Sequence, residues 1–328
     1  MENDRSPYGR SRRDFLIRAA KAGLSIAAAG SLAYWFYDRK GPEGRPVISS
    51  GVSLADFSIP DRKPQMSIVR GADRSATVRR AFKSLGGIET FVKKGDRVLL
   101  KVNAAFASPP ALSATTHPQL VSEVARLCFK AGAARVIVAD NPINDPASCF
   151  QLTGIARAAR AVGAEVMLPA DRFFKPITIP GARLIKDWPV LFEPFKTVNR
   201  IIGMAPVKDH HRSGASMTMK NWYGLLGGRR NIFHQDINTI IVELAQMVKP
   251  TLVILDGTTT MMTNGPTGGS LSDLKDTATM IVSTDQVAAD AYGATLLGMD
   301  SAALPYIAAA AARGVGTADY RSLDPVIV

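Results

Sequence analysis

The sequence predicts an α/β protein with a mostly parallel sheet and helices on both faces. Short apolar runs alternate with segments of helical periodicity from Met66 onward, and Gly132 and Gly163 follow two of the predicted helices. Continuously apolar strands are typical of parallel sheets that are buried on both sides, and glycine commonly ends a helix. With 328 residues, 46% of them hydrophobic, the chain is long enough to bury a large core.

The predicted elements follow one another along the chain. Each strand is a short apolar run between turn residues, and the strands are expected at Met66–Val69, Val98–Val102, Arg135–Ala139, Glu165–Leu168, Arg200–Ala205, Thr251–Leu255 and Thr279–Ser283. Apolar residues at helical spacing predict helices near Pro118–Lys130, Phe150–Val162, Ile237–Val248 and Val287–Leu297. The segment from Pro169 to Pro194 is rich in proline and predicts irregular structure.

Two parts of the chain carry polar residues in a similar order. The first set is Lys101, Asn103, His117 and Asp140, and the second is Lys220, Asn221, His234 and Asp256, with 23 and 22 residues from His to Asp. We hypothesise a two-fold pseudo-repeat that places both sets around one cleft. The alternative is coincidence, in which each His begins a helix and each Asp forms a turn after a strand.

The charge of the chain is compatible with an anionic partner. The formal net charge is +12, and residues 1–40 contribute only +4 of it, so the body of the protein is itself basic. Anionic lipids and phosphorylated or carboxylated small molecules fit such a surface, and a basic surface that serves solubility alone is the alternative. The Lys and Arg residues are scattered without a basic-aromatic run, so we expect no nucleic-acid partner.

The N-terminus resembles a twin-arginine export signal. Arg12 and Arg13 are followed by Phe15 and Leu16, and then by a moderately apolar stretch, Ala22–Tyr37. We expect residues 1–40 to engage the twin-arginine export machinery and to direct the body across the bacterial cytoplasmic membrane. The body is then periplasmic, or it is anchored to the membrane and faces the periplasm.

The sequence leaves open whether this segment is cleaved. Ser31-Leu32-Ala33 fits a cleavage site, but the aromatic residues that follow it suit a membrane interface. The 16 residues of Ala22–Tyr37 would span about 24 Å as a helix, which is short of a hydrocarbon core of about 30 Å. Residues 41–64 are predicted to form a tether, and residues 65–328 the α/β domain.

Polar residues that close the predicted strands are the candidates for chemistry, because ligands of parallel sheets bind beyond the carboxyl ends of the strands. The predicted catalytic residues are Asp140, Lys208, His210 and Asp256. The two aspartates can act as bases or hold a divalent metal, and the Lys and His residues can bind an anionic oxygen or move protons. Lysines gathered in one cleft would lower each other's pKa values and favour a bound phosphate or carboxylate.

Further residues are predicted to bind the substrate, namely Lys101, Asn103, His117, Lys220, Asn221, His234, Gly265 and Gly268. The loop Asn264–Gly269 can point backbone N–H groups at an oxyanion, or it can be a flexible turn. The segment Gly224–Arg230 is either a mobile basic lid or a surface turn. An extended backbone at His210 and His211 predicts that the two rings point apart.

The cysteines limit the cofactors. Cys128 and Cys149 are the only two, and they cannot supply the four thiolates of an iron–sulfur cluster. Cys128 lies on the apolar face of a predicted helix and is expected to be a core thiol, whereas a disulfide to Cys149 is left open. The spacing of His and Cys residues does not predict a zinc site.

An ordered series of motifs resembles the family catalogued as domain of unknown function 362. The motifs are Lys101-Val102-Asn103, Thr116-His117-Pro118, Ala139-Asp140, Val207–His210, Met219–Leu225, His234, Leu255–Gly257, Asn264–Gly269 and Ser283–Ala291, and the resemblance covers roughly residues 66–316. The family has no agreed activity. Some members are associated with iron–sulfur proteins and carry a ferredoxin-like module with Cys-x-x-Cys motifs, which this sequence lacks. Asp209 stands where the family usually has a small residue.

Three functions are compatible with these features. The first is an exported enzyme that acts on a small anionic substrate at the strand-end cleft, with or without a divalent metal. The second is an accessory redox or cofactor-handling protein that works with an iron–sulfur partner, as the resemblance implies. The third is a protein that only binds an anionic ligand.

Overall fold

The computed structural model describes residues 12–37, 53–60 and 62–328. The chain forms two compact units, Met1–Gly41 and Pro42–Val328. In the first unit, the described residues form one helix, α1 (Arg12–Phe36), which ends just before Tyr37. The predicted arginine pair therefore lies at the start of this helix, with Arg13 exposed.

Helix α1 is long and apolar enough to cross a membrane. The apolar segment runs from Phe15 to Trp35, with a mean hydropathy of 1.3. Its 21 residues correspond to about 31 Å at 1.5 Å per residue, which matches the hydrocarbon core of a bilayer. The predicted span of about 24 Å was too short, because it began at Ala22 and left out the apolar residues of the same helix before Arg18.

The second unit is built on a mixed, mostly parallel sheet. Its strands are β1 (Met66–Arg70), β2 (Arg97–Lys101), β3 (Arg135–Ala139), β4 (Glu165–Met167), β5 (Phe174–Ile177), β6 (Trp188–Leu191), β7 (Arg200–His210), β8 (Gly214–Ser216), β9 (Leu252–Met261), β10 (Leu274–Ser283) and β11 (Val326–Ile327). The order across the sheet is β11-β1-β10-β9-β7-β2-β3-β4, with β8 beside β7, and β5 pairs with β6 separately. Strands β9, β7, β2, β3 and β4 are parallel, and β10 is antiparallel to both neighbours. The α/β prediction is confirmed.

Helices cover both faces of this sheet. They are α2 (Arg74–Ser84), α3 (Pro118–Lys130), α4 (Pro146–Leu152), α5 (Ile155–Arg160), α6 (Thr218–Asn221), α7 (Ile237–Met247), α8 (Gln286–Leu296) and α9 (Pro305–Ala312). On β2, Val98 and Leu100 join the core beneath α2, α3 and α5, whereas Leu99 joins the core beneath α6 to α9. Successive side chains of a strand point to opposite faces, so each strand contributes to both cores.

The connections change direction between β2 and β7. Strand β2 leads through α3, on one face, to its neighbour β3, whereas β7 leads through α6 and α7, on the other face, to β9 on the opposite side. Parallel sheets open a crevice at such a topological switch point, beyond the carboxyl ends of the two strands. The topology therefore places the crevice next to Lys101 and the end of β7.

Several elements differ from their predicted bounds. The helix predicted near Phe150–Val162 is two helices, α4 and α5, which are separated at Gly154 with φ of +73°. Strands β7 and β9 continue beyond Ala205 and Leu255, because antiparallel partners, β8 and β10, extend their pairing. The segment from Pro169 to Pro194 contains the hairpin of β5 and β6 rather than irregular structure alone.

The two units of the hypothesised pseudo-repeat share their order of strands and helices but not the placement of their polar residues. Lys220 and Asn221 lie on α6 rather than at a strand end. His117 caps α3, whereas the N-cap of α7 is Asp236 and not His234. Their similarity is therefore confined to the strand–helix–strand order.

Part of the predicted tether packs against the body. Phe57 is 4% exposed, its N–H donates to the carbonyl of Lys249, and its own carbonyl accepts from the Thr251 hydroxyl. The prediction of a tether over residues 41–64 is therefore wrong for residues 53–60, because an apolar side chain within it is buried. Residues 41–52 and 61 lie outside the described part of the chain.

Candidate functional site

A cavity of about 160 Å³ lies at the switch point, and most of the predicted site residues form its wall. These are Asn103, Asp140, Lys208, His210, Lys220, Asn221 and His234. They come from β2, β3, β7, α6 and the segment before α7, which meet because the carboxyl ends of the parallel strands share one edge. The wall also includes Phe106, Asn141, His211, Ser216, Tyr223 and Arg230.

A buried ion pair lies behind the cavity wall, with Asp140 on the wall and Lys101 outside the set of lining residues. The Lys101 ammonium lies 2.8 Å from the Asp140 carboxylate and donates to the carbonyl of Asn221 at 2.9 Å. The other Asp140 oxygen accepts from the N–H of Ala104 at 2.6 Å. Burial lowers the pKa of Lys101 and the Asp140 charge opposes that effect. The positive charge of Lys101 and the negative charge of Asp140 therefore compensate each other.

Gly224 packs directly against this ion pair. A Cβ atom at Gly224 would meet the Asp140 carboxylate and would lie 3.0 Å from the Lys101 ammonium. The Gly224 carbonyl accepts from the N–H of Asn141, whose side chain donates to Leu226. The third residue after α6 is therefore a glycine, because the backbone at Gly224 must approach the ion pair closely.

Lys208 is buried on the β7 side of the cavity. Its ammonium donates to the carbonyls of Ala114 at 2.5 Å and Pro266 at 3.2 Å, and it lies 5.2 Å from the centre of the Phe106 ring. Burial, and then the nearby charge of Lys220, lower the pKa of Lys208 to about 7. Carbonyl oxygens orient this cation without neutralising it.

Lys220 is the least compensated of the cations. It is 8% exposed, and its ammonium lies 5.1 Å from the centre of the Tyr223 ring, without a hydrogen bond or a carboxylate partner among the described residues. Burial, and then the charge of Arg230, lower its pKa to about 7. An ammonium buried in this way is unfavourable unless something within the cavity compensates it.

Arg230 adds a third positive charge to the wall. Its guanidinium donates to the carbonyls of Pro142 at 2.8 Å and Leu226 at 3.0 Å, which fixes the side chain in place. The predicted alternatives for this segment were a mobile lid and a surface turn, and both are wrong for Arg230, because its side chain is half-buried and its guanidinium is bound to backbone carbonyls. The Tyr223 hydroxyl in turn donates to the Arg230 carbonyl.

The charges of the wall do not balance. Below about pH 7, Lys208, Lys220 and Arg230 are all cationic, and Asp140 is the one carboxylate that the described residues place on the wall. Since Asp140 is already paired with Lys101, three positive charges face a small cavity without a counterion from the protein. Such an arrangement attracts an anion strongly, because charges in a cleft with low-dielectric walls are poorly screened.

Three of the four histidines in the chain stack at this cavity. The rings of His210 and His211 are parallel, with centres 5.1 Å apart, and those of His210 and His234 are 6.0 Å apart. The prediction that His210 and His211 point apart is wrong, because the chain turns immediately after His210 instead of remaining extended.

The hydrogen bonds assign different tautomers to His210 and His234. Nδ1 of His210 accepts from the N–H groups of Arg212 and Ser213, so the proton of the neutral ring is on Nε2. Nδ1 of His234 lies 3.1 Å from the carbonyl of Asn231, which can only accept, so Nε2 of His234 carries the lone pair. Burial is the main cause that lowers the pKa of both rings.

The glycine-rich loop contributes a carbonyl rather than N–H groups. The N–H of Gly265 donates to the Asp209 carboxylate at 2.9 Å, and that of Gly268 donates to the carbonyl of Asn264 at 2.9 Å. The expectation that these N–H groups face an oxyanion is therefore wrong, because both already have acceptors within the protein. Pro266 is the loop residue on the cavity wall, where its carbonyl accepts from Lys208.

His117 and Asp256 lie elsewhere. Asp256 forms an ion pair of 2.7 Å with Arg74, and Nδ1 of His117 accepts from the N–H of Gln119. Burial, and then the Arg74 charge, lower the pKa of His117 to about 4, which the Asp256 charge opposes. Neither residue is on the cavity wall.

Asp140 and Asp256 cannot share one metal ion directly. Asp140 follows β3 and Asp256 lies on β9, three strands away, which corresponds to about 14 Å at about 4.8 Å per strand. Among the described residues there is no group of three or more His, Cys, Asp or Glu that could hold a metal ion. Cys128 and Cys149 are both buried with free thiols, and burial raises the pKa of each.

Sequence reasoning missed the positions of Tyr223, Phe106 and Ser216 on the wall. Tyr223 follows two predicted residues, Lys220 and Asn221, within three positions, and this proximity is the signal that could have identified it. Phe106 lies in a bend after β2 and Ser216 ends the short strand β8, and the positions of both depend on the packing of distant strands. Their sequence surroundings contain no comparable signal.

The fold and the cleft define an α/β protein with a cationic cavity at the switch point of a mostly parallel sheet. The chain belongs to the family described as Domain of unknown function (DUF362), whose model matches residues 98–295. This range contains every residue that lines the cavity.

A curated relative and a solved structure are also similar to the chain. Thylakoid-associated protein sll1697 of Synechocystis sp. is 28% identical over 247 residues, which cover 71% of this chain and 73% of that protein. The lactate racemase apoprotein of Thermoanaerobacterium thermosaccharolyticum is 13% identical with a TM-score of 0.34, over 62% of this chain. The matched region spans about half of the racemase chain, 52%.

Proposed function

We propose that the protein is an enzyme that binds a small anionic substrate in the cavity between β2 and β7 and transfers a proton to or from it. The observation that carries the proposal is the Lys220 ammonium, which is buried at the cavity without an anionic partner among the described residues. A substrate phosphate or carboxylate would supply the missing negative charge. A cavity of about 160 Å³ is below the range of drug-sized ligand sites, which favours a small anion.

The stacked histidines support proton transfer in addition to binding. Nε2 of His210 bears a proton and can donate a hydrogen bond, whereas Nε2 of His234 has a free lone pair and can accept a proton. The two rings are different tautomers, so His210 can hold a substrate oxygen by a hydrogen bond while His234 acts as the base that takes a proton. Their pKa values are lowered by burial and by the nearby lysines, so both rings are neutral at pH 7.

Binding is tested by titrating inorganic phosphate, sulfate and acetate into the full-length protein in mild detergent and measuring the heat. We expect saturable binding of at least one of these anions with a stoichiometry of one. Absence of binding by all three would contradict the proposal.

Catalysis is tested by incubating small carboxylates and phosphate monoesters with the protein in deuterated water and following them by NMR. The expected result is a conversion that is lost in His234→Gln. A protein that binds these anions and converts none of them is a binding protein instead.

We also propose that helix α1 is an export signal or membrane anchor that places the body outside the cytoplasm. The length and hydropathy of Phe15–Trp35 support this, as does the thylakoid association named for the relative from Synechocystis. The Arg12-Arg13 pair at the start of the helix favours the twin-arginine route.

Replacing Arg12 and Arg13 together by lysine is expected to abolish export, because the twin-arginine route requires the arginine side chains themselves and not only their positive charge. The measurement is fractionation of cells that express the tagged chain, followed by detection of the tag in the periplasm and the membrane. The matched control is Arg5→Lys with Arg10→Lys, which keeps the pair and should leave export unchanged. Equal export of all three chains would exclude the twin-arginine route.

A further inference from the structure

We propose that the anion bound in this cavity is a dianion, a small group with two negative charges that compensates the buried ammonium groups of Lys208 and Lys220 together. The inference rests on the proposed function and narrows the class of substrate to a molecule with a phosphate group or a small dicarboxylate, in place of a monocarboxylate. The burial of the two lysines, the pairing of the nearby carboxylate and the unused hydrogen-bond donors of the wall carry it.

The two ammonium groups require two negative charges from within the cavity. Lys208 is 1% exposed and Lys220 is 8% exposed, so solvent compensates neither charge. Asp140, the carboxylate on the described part of the wall, is already paired with Lys101. A buried charge is strongly unfavourable unless it is paired. A monoanion would leave one of the two lysines uncompensated or without its proton, whereas a dianion compensates both.

Arg230, the third cation of the wall, does not add to this requirement. Its side chain is half-buried, and it also lines a larger neighbouring cavity of about 670 Å³, which has room for water. Its guanidinium already donates to the carbonyl oxygens of Pro142 and Leu226. Water and these carbonyl groups can therefore solvate the guanidinium, and the charge that the ligand must supply is set by the two lysines.

The hydrogen-bond donors of the wall also favour a ligand with several acceptor oxygens. A lysine ammonium has three N–H donors. Lys208 uses two of them on the carbonyls of Ala114 and Pro266, and those of Lys220 have no acceptor among the described residues. Nε2 of His210 supplies a further donor. A phosphate group offers three oxygens and a dicarboxylate offers four, whereas a monocarboxylate offers two.

One small group can interact with both lysines. Lys208 and Lys220 line the same cavity of about 160 Å³, and the charge of Lys220 contributes to lowering the pKa of Lys208 to about 7. A dianion at this cavity would raise the pKa values of both lysines, because an opposite charge favours the charged form. At pH 8, where both lysines are mostly neutral without ligand, binding should therefore take up more than one proton.

The experiment compares two matched pairs of anions by calorimetric titration of the full-length protein in mild detergent at pH 6.5. The pairs are monofluorophosphate with fluorosulfate, and oxalate with oxamate, and the members of each pair have nearly the same size and shape but differ by one negative charge. We expect the dianion of at least one pair to bind at least about tenfold more tightly. The pair that shows this preference distinguishes a phosphate group from a dicarboxylate. Titration of that dianion at pH 8, in two buffers with different ionisation enthalpies, measures the proton uptake.

Lys220→Met should reduce the preference for the dianion to less than about threefold and the proton uptake at pH 8 to one proton or less. The matched control is Lys196→Met, which removes a lysine of a surface ion pair and should keep both values.

Equal affinity within both pairs, or an uptake of one proton or less by the unmodified protein, would overturn the inference and leave the proposed anion site intact. A preference that Lys220→Met does not reduce would assign the second charge to another group and would also overturn it. Failure of all four anions, and of sulfate, to bind would overturn the proposed function and this inference together.

Discussion

Lys101→Met is expected to lower the free energy of unfolding by about 3–5 kcal/mol, because it leaves the buried Asp140 carboxylate without its cation. Lys101 is 0% exposed and Asp140 is 2% exposed, so water cannot replace the lost charge. The Asn221 carbonyl would lose its donor as well. The measurement is denaturation by urea, followed by circular dichroism, at pH 7.

The matched control is Lys196→Met, which removes the cation of an ion pair with Glu193 on the surface. Lys196 is 40% exposed, and exposed pairs contribute about 0–1 kcal/mol. Asp140→Asn combined with Lys101→Met should recover part of the loss, since the double variant leaves no unpaired charge. If Lys101→Met were no more destabilising than Lys196→Met, the buried ion pair of Lys101 and Asp140 would not stabilise the protein as expected.

Lys220→Met is expected to weaken sulfate binding at pH 6.5 by at least tenfold and, at the same time, to stabilise the protein. Two unit charges 4 Å apart interact by about 4 kcal/mol at an effective dielectric constant of 20, and desolvation offsets part of this. Without a ligand, the buried ammonium has no partner among the described residues, so its removal should raise the free energy of unfolding by on the order of 1–4 kcal/mol. Titration calorimetry and urea denaturation measure the two effects.

The pH dependence of sulfate binding follows from the same lysines. The pKa values of Lys208 and Lys220 are about 7 without ligand, and a bound anion raises them. Affinity should therefore be constant below about pH 7 and should fall as the pH rises above it. Sulfate is fully ionised over this pH range, so a change in its affinity reflects a change in the charge of the protein. In Lys220→Met, this fall should be shallower.

The stability of Lys220→Met relative to the unmodified protein should also depend on pH. The pKa of Lys220 is about 7 in the folded state and its ordinary value is 10.5, so the unfolded state binds more protons between these pH values. The stabilisation by methionine is therefore largest below about pH 7 and fades as the pH approaches 10.5. Lys196→Met should change neither binding nor this pH dependence. A destabilised Lys220→Met variant that keeps full sulfate affinity would show that Lys220 is structural.

The sequence by itself determined the fold class and seven of the residues that line the cavity. Apolar runs defined the strands, and the polar residues that follow them, Asp140 and Lys208 among them, lie where the carboxyl ends of parallel strands meet. The sequence also predicted an apolar N-terminal segment, although the predicted segment, Ala22–Tyr37, was shorter than the apolar part of the helix, Phe15–Trp35. These features depend on local composition, which a single sequence contains.

Only the tertiary structure decided which polar residues meet. His117 and Asp256 follow the same local pattern as His234 and Asp140, but the order of the strands places them outside the cavity. The charge balance, the tautomers of His210 and His234 and the fixed position of Arg230 depend on partners far along the chain. Sequence spacing is not enough for these features, because burial and distance between side chains are set by the packing of the whole sheet, and those two quantities determine the electrostatics of a site.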